Sequence, residues 1–318
     1  MAKRKRKTRV KVNWLVVIAA AILLSTYLIV TISQGKDWSK WLPDWDSFVS
    51  VDAMADGSTM KIPDAAVKVH YIDVGQGDSM LIQAGKSNIL IDAGENDRAA
   101  EVVSYLKGAG VQTLDLIIAT HGHSDHIGGM DSVIDHFDVK KIIMTALPDA
   151  LVPTTRAYTD LLRSIQKKGL KITKAKAGDQ FDFGGGTLSI LGPIKDYDDL
   201  NNTSVVAKFA YGDLSFLFTG DMESKAEKDL LKAKTDVSAT VLKVGHHGSR
   251  SSSGQAFINA VGASCYTIEV GNENKYNHPH TETKKRLAKT GKPVYRTDLN
   301  GDIVITTDGK SYQVYTGK

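Results

Sequence analysis

Apolar positions fall into three regimes along the chain. Between residues 13 and 33 they run almost unbroken, between 34 and 64 they thin out, and from 65 onward they recur in short runs divided by Gly-, Asp- and Asn-rich turns. The third regime predicts alternating strands and helices. Residues 67–74, 79–83 and 87–91 have the short apolar runs of strands, the last two joined by Ala84-Gly85-Lys86. Helical spacing follows at 98–108, stopping at a glycine. A short buried strand is expected at 114–120, a helix at 131–137 and a strand at 140–144. Next come a helix at 155–168 and strands at 170–174, 180–183 and 187–191, the last two around Gly184-Gly185-Gly186. A hairpin at 205–211 and 214–219 precedes a helix at 225–231 and a strand at 241–244. Helix 255–261, strand 264–270, helix 281–290 and a closing hairpin at 301–307 and 311–315 complete the series. Such a succession predicts an α/β fold, two mixed sheets with helices on their outer faces.

The first regime is of another kind. Residues 14–32, WLVVIAAAILLSTYLIVTI, contain no charge. Nineteen helical residues reach about 28 Å, close to the hydrocarbon thickness of a bilayer. Before them stand Lys3, Arg4, Lys5, Arg6, Lys7, Arg9 and Lys11 with no acid. By the positive-inside rule residues 1–12 form a cytoplasmic basic tail, 13–33 a single transmembrane signal anchor, and everything beyond lies outside a bacterial cell membrane. A cleaved signal peptide ending near Thr31-Ile32-Ser33 is the competing expectation. Residues 34–64 are expected to form a linker, with Trp38, Trp41, Trp45 and Phe48 against the membrane or the domain, and 65–318 one catalytic domain.

Charge follows the same division. The chain is +4 overall, and removing the tail's +7 leaves −3 for residues 13–318. The basic balance therefore belongs to the tail, and it gives no argument for a generally cationic, nucleic-acid-binding body. With Cys265 as the lone cysteine, no intrachain disulfide can form.

Nine histidines are present, and seven fall in three clusters, each just after an expected strand. The densest is His121-x-His123-x-Asp125-His126, followed by Gly128-Gly129. On a loop, residues two apart can point to one side, so His121 and His123 can grip one cation while Asp125 and His126 turn toward a second. Imidazole nitrogen and carboxylate oxygen suit Zn²⁺, and a catalytic site keeps a position open for water. The paired glycines are expected to let the backbone turn tightly into the next helix.

In these residues the sequence resembles the metallo-β-lactamase superfamily, most closely the hydrolase domain that ends the ComEC/Rec2 competence proteins. The similarity extends over roughly 66–318. It is carried by the HxHxDH motif, by His70-Tyr71-Ile72-Asp73-Val74-Gly75-Gln76-Gly77-Asp78, Ile91-Asp92-Ala93-Gly94 and Asn201-Asn202-Thr203-Ser204, and by Phe218-Thr219-Gly220-Asp221, Lys243-Val244-Gly245-His246-His247-Gly248-Ser249 and His278-Pro279-His280. The resemblance implies an αββα sandwich and a metal-dependent hydrolase holding two divalent ions, Zn²⁺ or alternatively Mn²⁺. Its metal ligands would be His121, His123, Asp125, His126, Asp221 as the bridging carboxylate, and either His247 or His246, with His247 the choice and His246 then catalytic or facing substrate. Asp125 and His278 would join the catalytic set, His278 donating a proton to a leaving group or binding phosphate, unless it or His280 caps the helix near Thr281. Asp92 would brace a ligating histidine.

One departure from the family pattern stands out. Many members carry a further histidine between HxHxDH and the bridging Asp, and here Asn201-Asn202 stands about where it would be. Asn202 is therefore a candidate weak ligand or substrate contact, and Ser249, in the polar loop 249–253 with Arg250, a second substrate contact suited to phosphate. The resemblance implies a phosphodiester substrate, DNA or a teichoic-acid-like envelope polymer. A β-lactam or ester hydrolase, and a non-catalytic subunit of a DNA-uptake complex, are the alternatives.

Overall fold

A computed structural model describes residues 60–318. The basic tail and the expected anchor at 13–33 lie outside these residues, as does most of the 34–64 linker. Among the described residues no helix is long and apolar enough to cross a membrane.

The chain enters its first sheet through β1 (Val67–Tyr71), β2 (Met80–Ala84) and β3 (Ser87–Ile91), antiparallel in that order. Helix α1 (Ala99–Gly108) crosses over to β4 (Thr113–Leu114) and β5 (Leu116–Ala119). Two short helices, α2 (Ser124–Ile127) and α3 (Met130–His136), lead to β6 (Asp138–Val139), which pairs with β4, and to β7 (Ile142–Met144). Helix α4 (Arg156–Lys167) and β8 (Ile172–Lys174) follow. Thr155 Oγ1 caps α4 by accepting from Tyr158 N–H at 3.4 Å.

The second sheet opens with β9 (Gln180–Phe183), β10 (Gly186–Gly192), β11 (Val206–Tyr211) and β12 (Leu214–Phe218). It continues through α5 (Ser224–Lys232), β13 (Val241–Lys243), α6 (Gln255–Val261), β14 (Cys265–Ile268), α7 (Thr281–Ala288) and β15 (Val294–Arg296). A one-turn helix, α8 (Thr297–Asn300), returns the chain to the first sheet as the hairpin β16 (Ile303–Thr307) and β17 (Tyr312–Thr316). The strand orders are 17-16-1-2-3-5-7-8 and 15-14-13-12-11-10-9.

The period-two alternation of each central strand divides its side chains between two cores. Ile89 and Ile91 of β3, Leu116 and Ile118 of β5, and Phe216 and Phe218 of β12 meet between the sheets. Leu90 and Ile117 face outward onto Val102 and Leu106 of α1, Ile134 of α3 and Leu161 of α4. Leu217 faces Leu230 of α5 and Phe257 of α6. Strands buried on both faces read as continuous apolar runs, and each such Ile or Phe contributes about 1.5–3 kcal/mol on burial. The αββα sandwich expected from sequence is this architecture. Strands β3, β5, β12, β13 and β14 all end at one rim, and the clustered histidines lie just beyond those ends.

Several elements had no clear sequence signal. The first strand stops at Tyr71 and not near 74. Helix α2 is four residues long, about one turn, so no periodicity can show in it. Strand β15 has three half-buried residues and exists through parallel pairing to β14.

Candidate metal centre

Asp92 organises the loop after β5. It leaves β3 with φ +57°, a left-handed conformation that costs a non-glycine residue. From there Oδ1 accepts Thr120 N–H at 2.8 Å, while Oδ2 accepts Thr120 Oγ1–H at 2.6 Å and lies 2.8 Å from His126 Nδ1. His126 Nε2 is thereby aimed at the rim. Helix α2 begins immediately after His123, so Asp125 and His126 rise on its first turn, while His121 and His123 approach from the loop with ring nitrogens 2.9 Å apart.

Asp221 lies between these groups. Its Oδ2 is 3.9 Å from His121 Nε2 and 3.5 Å from His246 Nε2. Its Oδ1 is 3.2 Å from His126 Nε2 and 3.6 Å from His247 Nε2, which is itself 3.4 Å from Asp125 Oδ2. His121, His123 and Asp221 offer donor atoms to one point, and Asp125, His126 and His247 to another. His126 Nε2, His247 Nε2 and Asp221 Oδ1 are buried, and none makes a hydrogen bond with any described residue. Two imidazole nitrogens and a carboxylate oxygen facing one point are the donor set of a divalent cation, so the residues fit the group.

The electrostatics agree. Burial pushes the pKa of His126 down, but Asp221, Asp78 and Asp92 outweigh it and raise it well above the usual histidine value. For His247 burial is likewise overcome by Asp221 and Asp78, lifting it to about 10. The carboxylates thus call for positive charge where a cation would take the place of those protons. Burial, then the charge of His126, lowers His121 instead. Below this layer Lys243, fully buried on β13, forms an ion pair with Asp78. Asp78 Oδ1 stands 3.2 Å from His247 Nδ1, which also faces the Glu269 carbonyl at 3.0 Å.

Residues 72–268 match the family described as the Metallo-beta-lactamase superfamily. The chain belongs to that superfamily. Within it, the chain is 32% identical over 255 residues to ComE operon protein 3 of Bacillus subtilis, covering 74% of this chain and 32% of that protein. It is 30% identical over 246 residues to Competence protein ComA of Neisseria gonorrhoeae, covering 76% and 32%. The chain therefore spans about a third of the length of these curated relatives. Among solved structures, CmlA, a diiron beta-hydroxylase from Streptomyces venezuelae, superposes with TM-score 0.52 at 12% identity over 78% of this chain and 55% of that one. That likeness shows the fold alone.

As a superfamily member the chain implies divalent metal ions, and the rim gathers the expected His121, His123, Asp125, His126, Asp221, His246 and His247. His278 joins them at the wall of a cleft of about 280 Å³ that also holds His123 and Asp221. Its ring lies 5.4 Å from that of His246 and 6.2 Å from that of His247, and burial followed by these imidazoles lowers its pKa to about 4. His280 stands apart: its Nδ1 accepts Arg250 N–H at 3.0 Å, tying α7 to the preceding loop.

Two expected substrate contacts are corrected. Asn202 is buried and its amide is engaged inside the protein. Oδ1 accepts Glu223 N–H at 3.2 Å and Ala226 N–H at 3.1 Å, and Nδ2 donates to both Asp199 oxygens at 3.0 and 2.8 Å. No donor atom is left for a cation or a substrate. Ser249 is buried, bonds Ser251 Oγ at 2.9 Å and takes Thr283 Oγ1–H on its carbonyl. The serine loop is a brace behind the histidines, since Ser252 Oγ donates to the Met222 carbonyl and Ser253 Oγ accepts Gly245 N–H.

Gly128 and Gly129 also act differently from expectation. Their φ angles, −60° and −88°, suit any residue. A Cβ on Gly129 would stand 2.3 Å from the Ala93 carbonyl oxygen, and one on Gly128 2.4 Å from Asn96 N. Close approach of the β3 loop is what requires glycine. Lys243, Glu269 and Glu223 were missed as site residues. The available signal for Lys243 was a lysine inside the apolar strand Val241-Leu242-Lys243-Val244.

Proposed function

We propose that the chain is a two-cation phosphodiesterase acting on DNA, anchored by residues 13–33 with the domain outside the cell. One observation carries the reading: Asp221 divides its two oxygens between two groups of histidine and carboxylate donors. The residues that would hold the pair are His121, His123 and Asp221 on one side, and Asp125, His126, His247 and Asp221 on the other. When bound, such a pair supplies Lewis acidity toward a phosphoryl oxygen and lowers the pKa of coordinated water.

The chain's own side chains do the rest. Asp92 and the Glu269 carbonyl fix the rings of His126 and His247 through their Nδ1 atoms. His278 presents an imidazole on the cleft wall, its Nδ1 buried and without a hydrogen-bond partner among the described residues, suited to a phosphoryl or leaving oxygen. Tyr276, 47% exposed, stacks on His278 at 5.6 Å with Lys275 Nζ 5.1 Å from its ring. An exposed aromatic with a neighbouring cation offers a stacking platform for a base beside the scissile bond. This favours a nucleic acid over an envelope polymer. Relatives named as a competence protein and a recombination protein are in keeping with a nucleic-acid substrate.

The purified full chain, reconstituted with Zn²⁺ or Mn²⁺, is to be assayed on single- and double-stranded DNA, bis-p-nitrophenyl phosphate, p-nitrophenyl phosphorylcholine and a cephalosporin. Cleavage of DNA and the diester is expected, and Asp221→Asn reduces it to background. Turnover of phosphorylcholine without DNA moves the substrate to the envelope. Turnover of the cephalosporin alone overturns the phosphodiesterase reading.

A further inference from the structure

We infer that His246 and His247 both bind metal, one to each ion, and that His246 fills the place of the histidine this chain lacks between HxHxDH and Asp221. The inference rests on the two-cation reading and deepens it. Without His246, the first group comprises only His121, His123 and the shared Asp221, whereas the second has Asp125, His126, His247 and the same Asp221.

Three observations carry it. The first is the backbone. His246 and His247 are consecutive non-glycine residues with φ +51°, and ψ 48° and 26°. Adjacent left-handed residues are rare and persist only where their surroundings impose them. Here His246 N–H donates to the Gly220 carbonyl at 3.1 Å and Ser249 N–H to the His246 carbonyl at 2.8 Å. The outcome is divergence, with ring centroids 6.1 Å apart and planes at 75°.

The second is direction. His246 Nε2 lies 3.5 Å from Asp221 Oδ2, the oxygen facing His121, while His247 Nε2 faces Oδ1. That distance from Asp221 is near the roughly 3.4 Å that separates two donors of one tetrahedral ion. His246 Nε2 does not yet lie with the His121, His123 and Asp221 donor group, so its ring has to close on that group when the ion binds. The third is support. Glu223 Oε1 stands 3.2 Å from His246 Nδ1, which makes no hydrogen bond with any described residue, so the carboxylate is close enough to orient a ligating imidazole after a small turn of the ring. Glu223 is in turn held by Ser251 Oγ at 2.8 Å, by Asn201 Nδ2 at 3.4 Å and, through its N–H, by Asn202 Oδ1. Asn202 therefore supplies no ligand of its own, and with Asn201 Nδ2 it builds the platform that presents His246.

Cobalt titration of the metal-free full chain tests this, read by ions bound per chain and by visible d–d absorption. Wild type takes up two Co²⁺. His246→Ala is expected to keep one at wild-type affinity, which also reports an intact fold, and to bind the other at least about 10–100-fold more weakly, no less than the loss of a partner that only orients a ligand costs. Glu223→Gln weakens the same ion by roughly 10-fold. Two ions bound to His246→Ala with unchanged affinity and spectrum, and a raised KM for bis-p-nitrophenyl phosphate, overturn the inference and leave His246 a substrate contact. If His246→Ala binds neither ion, Glu223→Gln decides, and unchanged affinity there overturns the inference. No cobalt uptake by wild type overturns the two-cation reading itself.

Discussion

Asp92 divides its two oxygens between Thr120 and His126, at the cost of a left-handed backbone. In Asp92→Asn the group facing His126 Nδ1 becomes an amide, and the ring loses its fixed orientation. Metal affinity is expected to fall about 10–100-fold, measured by competition with a chromophoric chelator, and wild-type affinity would sink this role. Glu227 carries a different signature. Burial, only partly offset by N–H groups of Gly254 and Ser253, raises its pKa to about 7. The folded protein thus holds this proton up to about pH 7, whereas an unfolded chain releases it near 4.5. Its contribution to stability is whole below about pH 4.5, declines as pH rises to about 7 and is level above, a loss of at most ~3 kcal/mol. Glu227→Gln should therefore lose less Tm than wild type between pH 5 and pH 8, and parallel Tm curves would refute the buried, protonated state. The HxHxDH residues, Asp221 and Asp92 were legible because they sit in short local motifs. Glu223, Glu269 and Lys243 were not, because their roles depend on partners far away in sequence, such as Asp78 for Lys243 and Ser251 for Glu223.

At the scale of elements, α2 and α3 show how closely the metal loop is packed. The chain after β3 passes so near that Gly129 N–H reaches the Gly94 carbonyl at 3.1 Å. Gly129→Ala places a methyl against the Ala93 carbonyl, so it is expected to destabilise by about 1–3 kcal/mol, seen as a lower Tm with less bound metal. An unchanged Tm would show that the loops can separate freely. Periodicity located the longer helices to within a few residues, since α4 and α5 bury one face against a sheet. It failed for α2, α8 and β15, where three or four residues are held by tertiary hydrogen bonds and not by a repeating apolar face.

The described domain presents its cleft at one rim of a sandwich, and residues 13–318 carry −3, so under the proposed function the binding of a DNA strand would have to rest on the cleft itself. Protease added to intact cells is expected to degrade the domain while sparing the first residues. Complete protection in cells whose surface proteins are digested would overturn the outward placement. The sequence by itself determined the superfamily and the αββα order of elements, and it named most of the side chains that the fold gathers at the candidate metal centre. These depend on local patterns: period-two strands buried on both faces, and histidines placed just after strand ends. Only the tertiary structure decided what Asn202 and Ser249 do, that Gly128 and Gly129 serve close approach, and how His246 and His247 diverge. Those outcomes depend on where separate loops meet at the rim, and the distance between loops remote in sequence is set by packing of the two sheets.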